Sequence, residues 1–170
     1  HGSPSYYVAI GASAGGLEAL QELFGHLEPN IGAAYIVIQH LSPDYKSMMP
    51  GLLSKHVDMP IESVTSGTEI KADHIYLMPA RKSMEIHDGI LTLIDHAPGT
   101  HVHLPIDTFF SSLARDKQHR AIGVVLSGTG SDGTRGIKTL KEQSGMVIVQ
   151  EPSTAKFDGM PISAFNTGLA

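Results

Sequence analysis

The sequence contains no cysteine and no tryptophan, and aromatic residues make up only 6% of it. The lack of cysteine excludes disulfides and thiolate metal sites, and it agrees with a cytoplasmic setting. No apolar run approaches the roughly 20 residues that a membrane-spanning helix needs, so we expect no membrane insertion. Basic residues are few, with 12 Lys and Arg against 17 Asp and Glu and a net charge of −5. We therefore expect no nucleic-acid partner, because nucleic-acid-binding domains usually carry a basic excess.

The length and the hydrophobic content predict one folded domain. A chain of 170 residues with 41% hydrophobic residues is large enough to bury a core. No repeat, low-complexity tract or linker divides it. We expect a single domain over residues 4–170, with His1-Gly2-Ser3 as a cloning remnant and the end at Ala170 as a cut within a longer chain.

Apolar strand patterns alternate with amphipathic helix patterns along the chain. Strands are predicted at 6–10, 34–38, 61–64, 75–79, 84–87, 90–94, 121–126 and 146–150, and helices at 16–27, 45–56, 105–117, 132–143 and 160–165. Asp88-Gly89 is a hairpin signal between two of the short central strands. Strands separated by helices of this length pair in parallel. The prediction is a doubly wound α/β fold, a mostly parallel sheet flanked by helices, with an antiparallel hairpin at one edge.

Ser13 lies in a glycine-rich turn between the first predicted strand and the first predicted helix, within Gly11-Ala12-Ser13-Ala14-Gly15-Gly16. Glycines allow the backbone to bend sharply there, and free N–H groups at a helix start can hold an anion. A serine hydroxyl in such a turn is a candidate nucleophile. The alternative is that Ser13 binds a phosphate or caps the helix.

His40 and Asp132 follow two other predicted strands, at the sheet edge where ligands of such folds bind. An imidazole can take the proton of Ser13, and a carboxylate on its far nitrogen can orient it and stabilise its charged form. Each residue also has an ordinary interpretation, His40 as one of 10 histidines and Asp132 as a turn residue or helix cap. The occurrence of all three at one edge favours a Ser-His-Asp esterase.

Three rival interpretations fit less well. The turn approximates the dinucleotide-binding pattern G-x-G-x-x-G, but Ser13 replaces the second glycine and Gln39-His40 stands where an acidic residue belongs. It also matches the G-x-S-x-G elbow of α/β-hydrolases, whose triad runs in the order Ser, acid, His rather than Ser, His, acid. His101 and His103 suggest a metal, but no third ligand has suitable spacing. We expect no metal and no organic cofactor.

Several segments resemble the catalytic domain of the CheB family, the chemotaxis receptor protein-glutamate methylesterases. They are 10–16 (IGASAGG), 37–41 (VIQHL), 104–110 (LPIDTFF), 126–133 (LSGTGSDG), 150–151 (QE) and 159–161 (GMP), and they cover nearly the whole chain in family order. The resemblance implies a doubly wound α/β fold with Ser13 as nucleophile, His40 as base and Asp132 as acid. It implies hydrolysis of glutamate methyl esters on a receptor, with release of methanol, and deamidation of certain glutamines.

The resemblance also implies an oxyanion and substrate pocket formed by Ala14 and by backbone groups near Thr129-Gly130. Ala14 stands where the family commonly has threonine, and Thr129 where many members have methionine. These departures motivate an alternative, a signalling or docking domain with little activity. The segment 127–136 resembles the form found in long fusions, so a methyltransferase domain in the same full-length chain is an expected partner beside the methylated receptor.

Overall fold

The computed structural model describes residues 2–39, 43–96, 99 and 103–170, with only the backbone for 43–48. The strands are β1 Tyr6–Ala12, β2 Ala33–Gln39, β3 Ile61–Ser63, β4 Thr68–Glu69, β5 Ile75–Leu77, β6 Lys82–His87, β7 Ile90–Asp95, β8 Ala121–Val125 and β9 Met146–Val149. The helices are α1 Gly16–His26, α2 Pro43–Ser54, α3 Pro105–Lys117, α4 Thr134–Glu142 and α5 Gly159–Phe165. Short 3-10 helices span Gln118–Arg120 and Pro152–Thr154.

Six strands form one parallel sheet in the order β3-β5-β2-β1-β8-β9. β1 is central, and its last residues lie opposite the ends of both neighbours, Ala12 beside Gln39 and Gly11 beside Val125. Because these strands are parallel and in register, the loops that follow β1, β2 and β8 leave the sheet from the same edge. The fold class predicted from the sequence is confirmed, as a mostly parallel sheet flanked by helices.

The central hairpin turns at Asp88-Gly89 as predicted, with both residues at positive φ (51° and 74°). The carboxylate of Asp116 accepts the backbone N–H groups of both turn residues, at 2.7 and 3.1 Å. The hairpin does not extend an edge of the main sheet; β7 pairs with both β6 and β4 in a separate three-stranded antiparallel sheet. The apolar side of this hairpin, including Met84 and Ile86, packs instead in the core cluster that contains α3 residues.

Helices cover both faces of the parallel sheet because its strands alternate their side chains between two apolar clusters. One cluster joins strand residues such as Ile10 and Val37 to α1 and α2. The other joins Ala9 and Ile36 to α3, α4 and α5. In the described part of the chain, no helix has both the length and the apolar character needed to cross a membrane.

Candidate active site

Ser13 lies in the turn that joins β1 to α1, as the sequence predicts. Its N–H donates to the carbonyl of Ser127 at 3.0 Å, and its own carbonyl accepts the N–H of Gly16 at 2.9 Å. Gly15 has a φ of 73°, and a Cβ there would lie 2.7 Å from Ser127 Oγ. The turn therefore needs glycine both for its backbone conformation and for its contact with the loop after β8.

The hydroxyl of Ser13 points into that loop. The backbone N–H of Thr129 donates to Ser13 Oγ at 3.0 Å, and Oγ lies 3.5 Å from Met160 Sδ, to which it donates. A Cβ at Gly128 would lie 2.4 Å from Oγ and 2.5 Å from Sδ, so only glycine fits between them. The side chain is thus held, mostly buried (8% exposed), in one position with a backbone N–H beside its oxygen.

The predicted pocket residues contribute through their backbones. Thr129 offers its N–H to Ser13, whereas Ala14 uses its carbonyl to accept the hydroxyl of Ser127 at 2.8 Å. Gly130 has a φ of 84°, and its carbonyl accepts the hydroxyl of Ser163 at 3.5 Å. The contact of Thr129 is the one that a reacting oxygen could use.

Asp132, also 8% exposed, lies in the same loop, just before α4. Its two carboxylate oxygens accept separate backbone N–H groups at the start of α3, Oδ2 from Ile106 at 3.0 Å and Oδ1 from Asp107 at 2.9 Å. These groups are among the N–H donors that a helix start leaves without intrahelical partners. A buried carboxylate with both oxygens bonded in this way is held in a fixed orientation.

Asp107 lies close to this site and was not singled out by the sequence. Its Oδ1 accepts the backbone N–H of Gly136, in the first turn of α4, at 2.8 Å. Burial raises the pKa of the Asp107 carboxyl, and the charge of Asp132 raises it further, while the N–H of Gly136 opposes both. Asp107 and Asp132 thus form a pair of neighbouring carboxylates between two helix starts.

His40, the predicted base, lies outside the described residues. β2 ends directly before it, at Gln39, which is buried and pairs with Ala12 in the sheet register. Gln39 Nε2 donates to the carbonyl of Ser13 at 3.5 Å. The structure therefore brings Ser13, Thr129 and Gln39 together, and the predicted Ser13–His40–Asp132 relay stays a prediction.

A pocket of about 180 Å³ opens beside Ser13, lined by the turn, the first residues of α1, Gln39 and Lys156. Lys156 lies 3.4 Å from Glu18 across its mouth. A larger pocket of about 470 Å³ lies at the other end of α1, around Phe24 and His56, and none of its lining residues belongs to the strand-end loops. Of these two pockets, the smaller one is lined by Ser13.

The residue that sequence reasoning missed most clearly is Ser127. Its hydroxyl donates to the Ala14 carbonyl and accepts the N–H of Phe157 at 3.0 Å, while its own N–H donates to Gln150 Oε1 at 2.9 Å. It is 1% exposed and connects the turn that contains Ser13 to two other segments. Its place at the start of a glycine-rich loop, after a buried strand, was the available signal.

The described residues do not place the histidines considered above in a metal site. His101 lies outside the described residues, and the ring of His103 stacks on that of His96 with centroids 3.6 Å apart. Within residues 2–39, 43–96, 99 and 103–170, no group of three or more His, Cys, Asp or Glu side chains is placed to hold a metal ion.

Comparison with known proteins identifies the family. The family model for CheB methylesterase matches residues 8–170. A protein-glutamate methylesterase/protein-glutamine glutaminase of Desulfitobacterium hafniense is 34% identical over 98% of this chain, which spans 44% of that protein. A second protein of that name, from Xanthomonas oryzae pv. oryzae, is 34% identical over 96% of this chain, which spans 46% of its length.

Two further comparisons concern length and fold. A 104.1 kDa protein of Rhodobacter capsulatus is 44% identical over 71% of this chain, yet the match spans only 13% of that protein. The crystal structure of the Thermotoga maritima CheB methylesterase catalytic domain superposes with a TM-score of 0.87 at 26% identity, covering 98% of this chain and 90% of that one. The chain spans less than half the length of the methylesterases it matches. It belongs to the CheB methylesterase family and has the fold of the family's catalytic domain.

Proposed function

We propose that this chain is a serine esterase that hydrolyses γ-methyl esters of glutamate on a chemotaxis-type receptor or a related signalling protein. The observation that carries the proposal is the contact between Ser13 and Thr129. The buried hydroxyl of Ser13 accepts the backbone N–H of Thr129 at 3.0 Å. The names of the relatives, protein-glutamate methylesterase/protein-glutamine glutaminase, support the same chemistry.

In the proposed acylation step, Ser13 Oγ attacks the ester carbonyl while His40 takes its proton. The carbonyl oxygen gains negative charge, and the N–H of Thr129, which lies beside Ser13 Oγ, donates to that oxygen. Removal of one oxyanion-hole donor typically raises the barrier by about 3–4 kcal/mol. His40 then returns the proton to the leaving methoxide, and methanol departs from the acyl-enzyme.

Deacylation repeats the sequence with water as the nucleophile. His40 removes a proton from water, the hydroxide attacks the acyl carbon, and Ser13 leaves with the proton. The product is a glutamate carboxylate. A glutamine side chain would follow the same path with ammonia as the first leaving group, which gives deamidation. These steps use protein groups and water, so we propose no metal or organic cofactor.

The proposed role of Asp132 is to orient His40 and to stabilise its protonated form. Its support is the double hydrogen bond to the α3 start, since a carboxylate fixed at both oxygens can hold a partner imidazole in one orientation. The orientation matters because only one imidazole nitrogen can face Ser13.

The two departures from the family pattern do not remove the contacts on which this proposal rests. Ala14 and Thr129 both act through backbone atoms, so a different side chain at either position leaves those hydrogen bonds available. For this reason we favour the esterase over a docking domain of low activity. Inertness of Ser13 toward a fluorophosphonate would reverse that preference.

We also propose that residues 4–170 are one catalytic domain of a longer, cytoplasmic protein. The proposal of a longer protein is supported by the small share of each relative that this chain matches, which is only 13% for the 104.1 kDa protein. A receptor methyltransferase domain in the same full-length chain is the partner that we propose besides the methylated receptor.

The test is methanol release from a receptor carrying radiolabelled methyl esters, together with fluorophosphonate labelling of the purified chain. We expect Ser13→Ala to abolish both signals. Ser153→Ala, at an exposed serine on the same protein, is the matched control and should retain both. Wild-type turnover by Ser13→Ala would exclude the proposed nucleophile.

A further inference from the structure

Asp107 is a second carboxylate at the candidate site, and the proposed reaction leaves it without a role. It lies in the first turn of α3, half-buried, in the LPIDTFF segment that the family resemblance includes. Its N–H donates to Asp132 Oδ1 at 2.9 Å, and its own Oδ1 accepts the N–H of Gly136 at 2.8 Å. One residue therefore contacts the proposed acid and also the helix that follows it.

The hydrogen bonds cross between two helix starts. Asp132, from the segment that leads into α4, accepts N–H groups of α3. Asp107, from α3, accepts an N–H of α4. The residue directly before α4, Gly133, has no side chain, so α4 obtains this carboxylate contact at its start from α3 rather than from its own N-cap. The short segment from Asp132 to Gly136 is thus bonded to α3 at both of its ends.

This arrangement limits how Asp132 can move. If the contact between Asp107 and Gly136 is lost, the start of α4 loses a hydrogen bond, and the loop that carries Asp132 is held to α3 by fewer contacts. Asp132 can then tilt with the loop, which distorts its own hydrogen bonds to α3. A triad carboxylate that tilts orients its imidazole less well, which lowers the rate of proton transfer.

The charge of Asp107 is a second way in which this residue supports the proposed reaction. Among the described residues, Asp132 is the charged group whose field raises the pKa of Asp107, and the N–H of Gly136, which donates to Asp107 Oδ1, lowers it. When ionised, Asp107 adds negative charge next to Asp132. That charge favours a cation bound at Asp132, which in the proposed reaction is the protonated imidazole.

We propose that Asp107 is a positioning residue for the esterase reaction: it acts through Asp132, by fixing the loop that carries it and by adding negative charge beside it. This inference rests on the proposed function, because it assigns to Asp107 an effect on the Ser13 reaction. It does not require Asp107 to touch the substrate.

The test compares two substitutions in the 170-residue chain. Asp107→Ala removes the acceptor and the charge, and we expect kcat to fall about tenfold with little change in KM. Asp107→Asn keeps an acceptor oxygen for Gly136 but removes the charge. We expect it to recover most of kcat and to shift the acid limb of the pH–rate profile to lower pH by about half a unit, because the imidazolium loses a stabilising anion.

Rates are referred to active sites titrated with a fluorophosphonate, so that loss of folded protein does not imitate loss of activity. Asp116→Asn is the control: it removes a charge from the far end of α3, where Asp116 binds the hairpin turn. It should change neither kcat nor the pH profile.

The outcomes separate this inference from the proposed function. One outcome is that the wild type is active and both Asp107 variants have its kcat and its acid limb. That outcome overturns the positioning role and leaves the esterase proposal standing. If Asp107→Ala does not fold, an unshifted acid limb in Asp107→Asn is enough to overturn it. A wild type that neither labels at Ser13 nor releases methanol overturns both.

Discussion

The backbone N–H of Thr129 donates to the hydroxyl oxygen of Ser13 across 3.0 Å, which joins the loop after β8 to the turn after β1. The donor is a backbone group, so its direction is set by the course of the loop. Gly128, one residue earlier, allows the close approach because a Cβ there would collide with Ser13 Oγ. The reactivity of Ser13 should therefore depend on a residue that has no functional group.

Gly128→Ala is the first prediction. The added Cβ would lie 2.4 Å from Ser13 Oγ and 2.5 Å from Met160 Sδ, so the hydroxyl must rotate away or the loop must move. We expect the rate of fluorophosphonate labelling to fall at least about tenfold, since a displacement of about 1 Å at a reacting group can cost two orders of magnitude.

Gly25→Ala makes the same chemical change in α1, where no atom lies within 4 Å of the new Cβ apart from the neighbouring residues and the backbone of the helix itself. It should label at the wild-type rate and be at least as stable, because alanine has the higher helix propensity. Equal labelling rates for the Gly128 and Gly25 variants would contradict the proposed dependence on the Ser13–Thr129 contact.

Asp132→Asn is the second prediction. The carboxamide has one oxygen for two N–H donors, so the N–H of Ile106 or of Asp107 must face an NH₂ group. A buried donor without an acceptor costs about 1–3 kcal/mol of stability. We expect methanol release to fall by up to about four orders of magnitude, as in serine proteases whose triad aspartate is replaced by asparagine.

Asp158→Asn provides the comparison for that variant, since Asp158 is an exposed aspartate just before α5. It removes one negative charge without removing a buried hydrogen bond. Its turnover and unfolding midpoint should match those of the wild type. A turnover of Asp132→Asn within about threefold of wild type would exclude Asp132 as the triad acid.

The fold was predictable because its signals are local. Apolar strand patterns and helix periodicity depend on neighbouring residues, and the α3 prediction of 105–117 coincides with Pro105–Lys117 in the structure. The hairpin turn was also local, in Asp88-Gly89. Its partner strand was not, because β4 has only two residues, Thr68–Glu69, which is too short to show alternation.

The candidate site was predictable where a residue follows a strand of the parallel sheet. Ser13 and Asp132 follow β1 and β8, and the register of those strands brings the following loops to one edge. Two sets of contacts could not be predicted in this way. They are the hydrogen bonds of Ser127 with Ala14 and Phe157, and the hydrogen bond between Asp107 and Asp132. They depend on side-chain directions across 25 or more residues of sequence, which no short pattern records.

Ser127→Ala is the third prediction, and it tests whether the Ser127 hydroxyl stabilises the turn that contains Ser13. The substitution removes the donor to the Ala14 carbonyl and the acceptor of the Phe157 N–H. We expect a loss of about 1–3 kcal/mol in the free energy of unfolding, measured with urea. We also expect slower labelling of Ser13, because the turn loses one of its three hydrogen bonds to the loop after β8.

Ser112→Ala separates the two effects. Ser112 is also buried, at 3% exposure, and its hydroxyl bonds Phe109 and Ile86 in the body of the fold, away from the strand-end loops. Its variant should lose similar stability and keep the wild-type labelling rate per folded molecule. If both serine variants slow labelling equally, the special role of Ser127 at the turn is refuted.

The last prediction concerns how the stability of Asp107→Asn varies with pH. Burial raises the pKa of the Asp107 carboxyl above its usual value, with a further contribution from Asp132, so the folded state holds this proton more tightly than the unfolded state does. As pH rises from the unfolded pKa of about 4 through the raised folded pKa, this group lowers the stability of the wild type. Asparagine has no such proton. The free energy of unfolding of Asp107→Asn minus that of the wild type should therefore become more positive as pH rises through that range.

Asp95→Asn should show the opposite trend. The hydrogen bond and the charge of Lys82 lower the pKa of Asp95, so Asp95 contributes stability above its unfolded pKa and loses it as the pH falls through the folded value. The free energy of Asp95→Asn minus that of the wild type should become more negative as pH rises, by a small amount because solvent screens this exposed pair. Urea titrations of the three proteins at several values between pH 3 and pH 7 measure both differences. Parallel curves for the two variants would show that the half-buried Asp107 ionises no differently from a surface carboxylate, and the unfavourable field between Asp107 and Asp132 would then be absent.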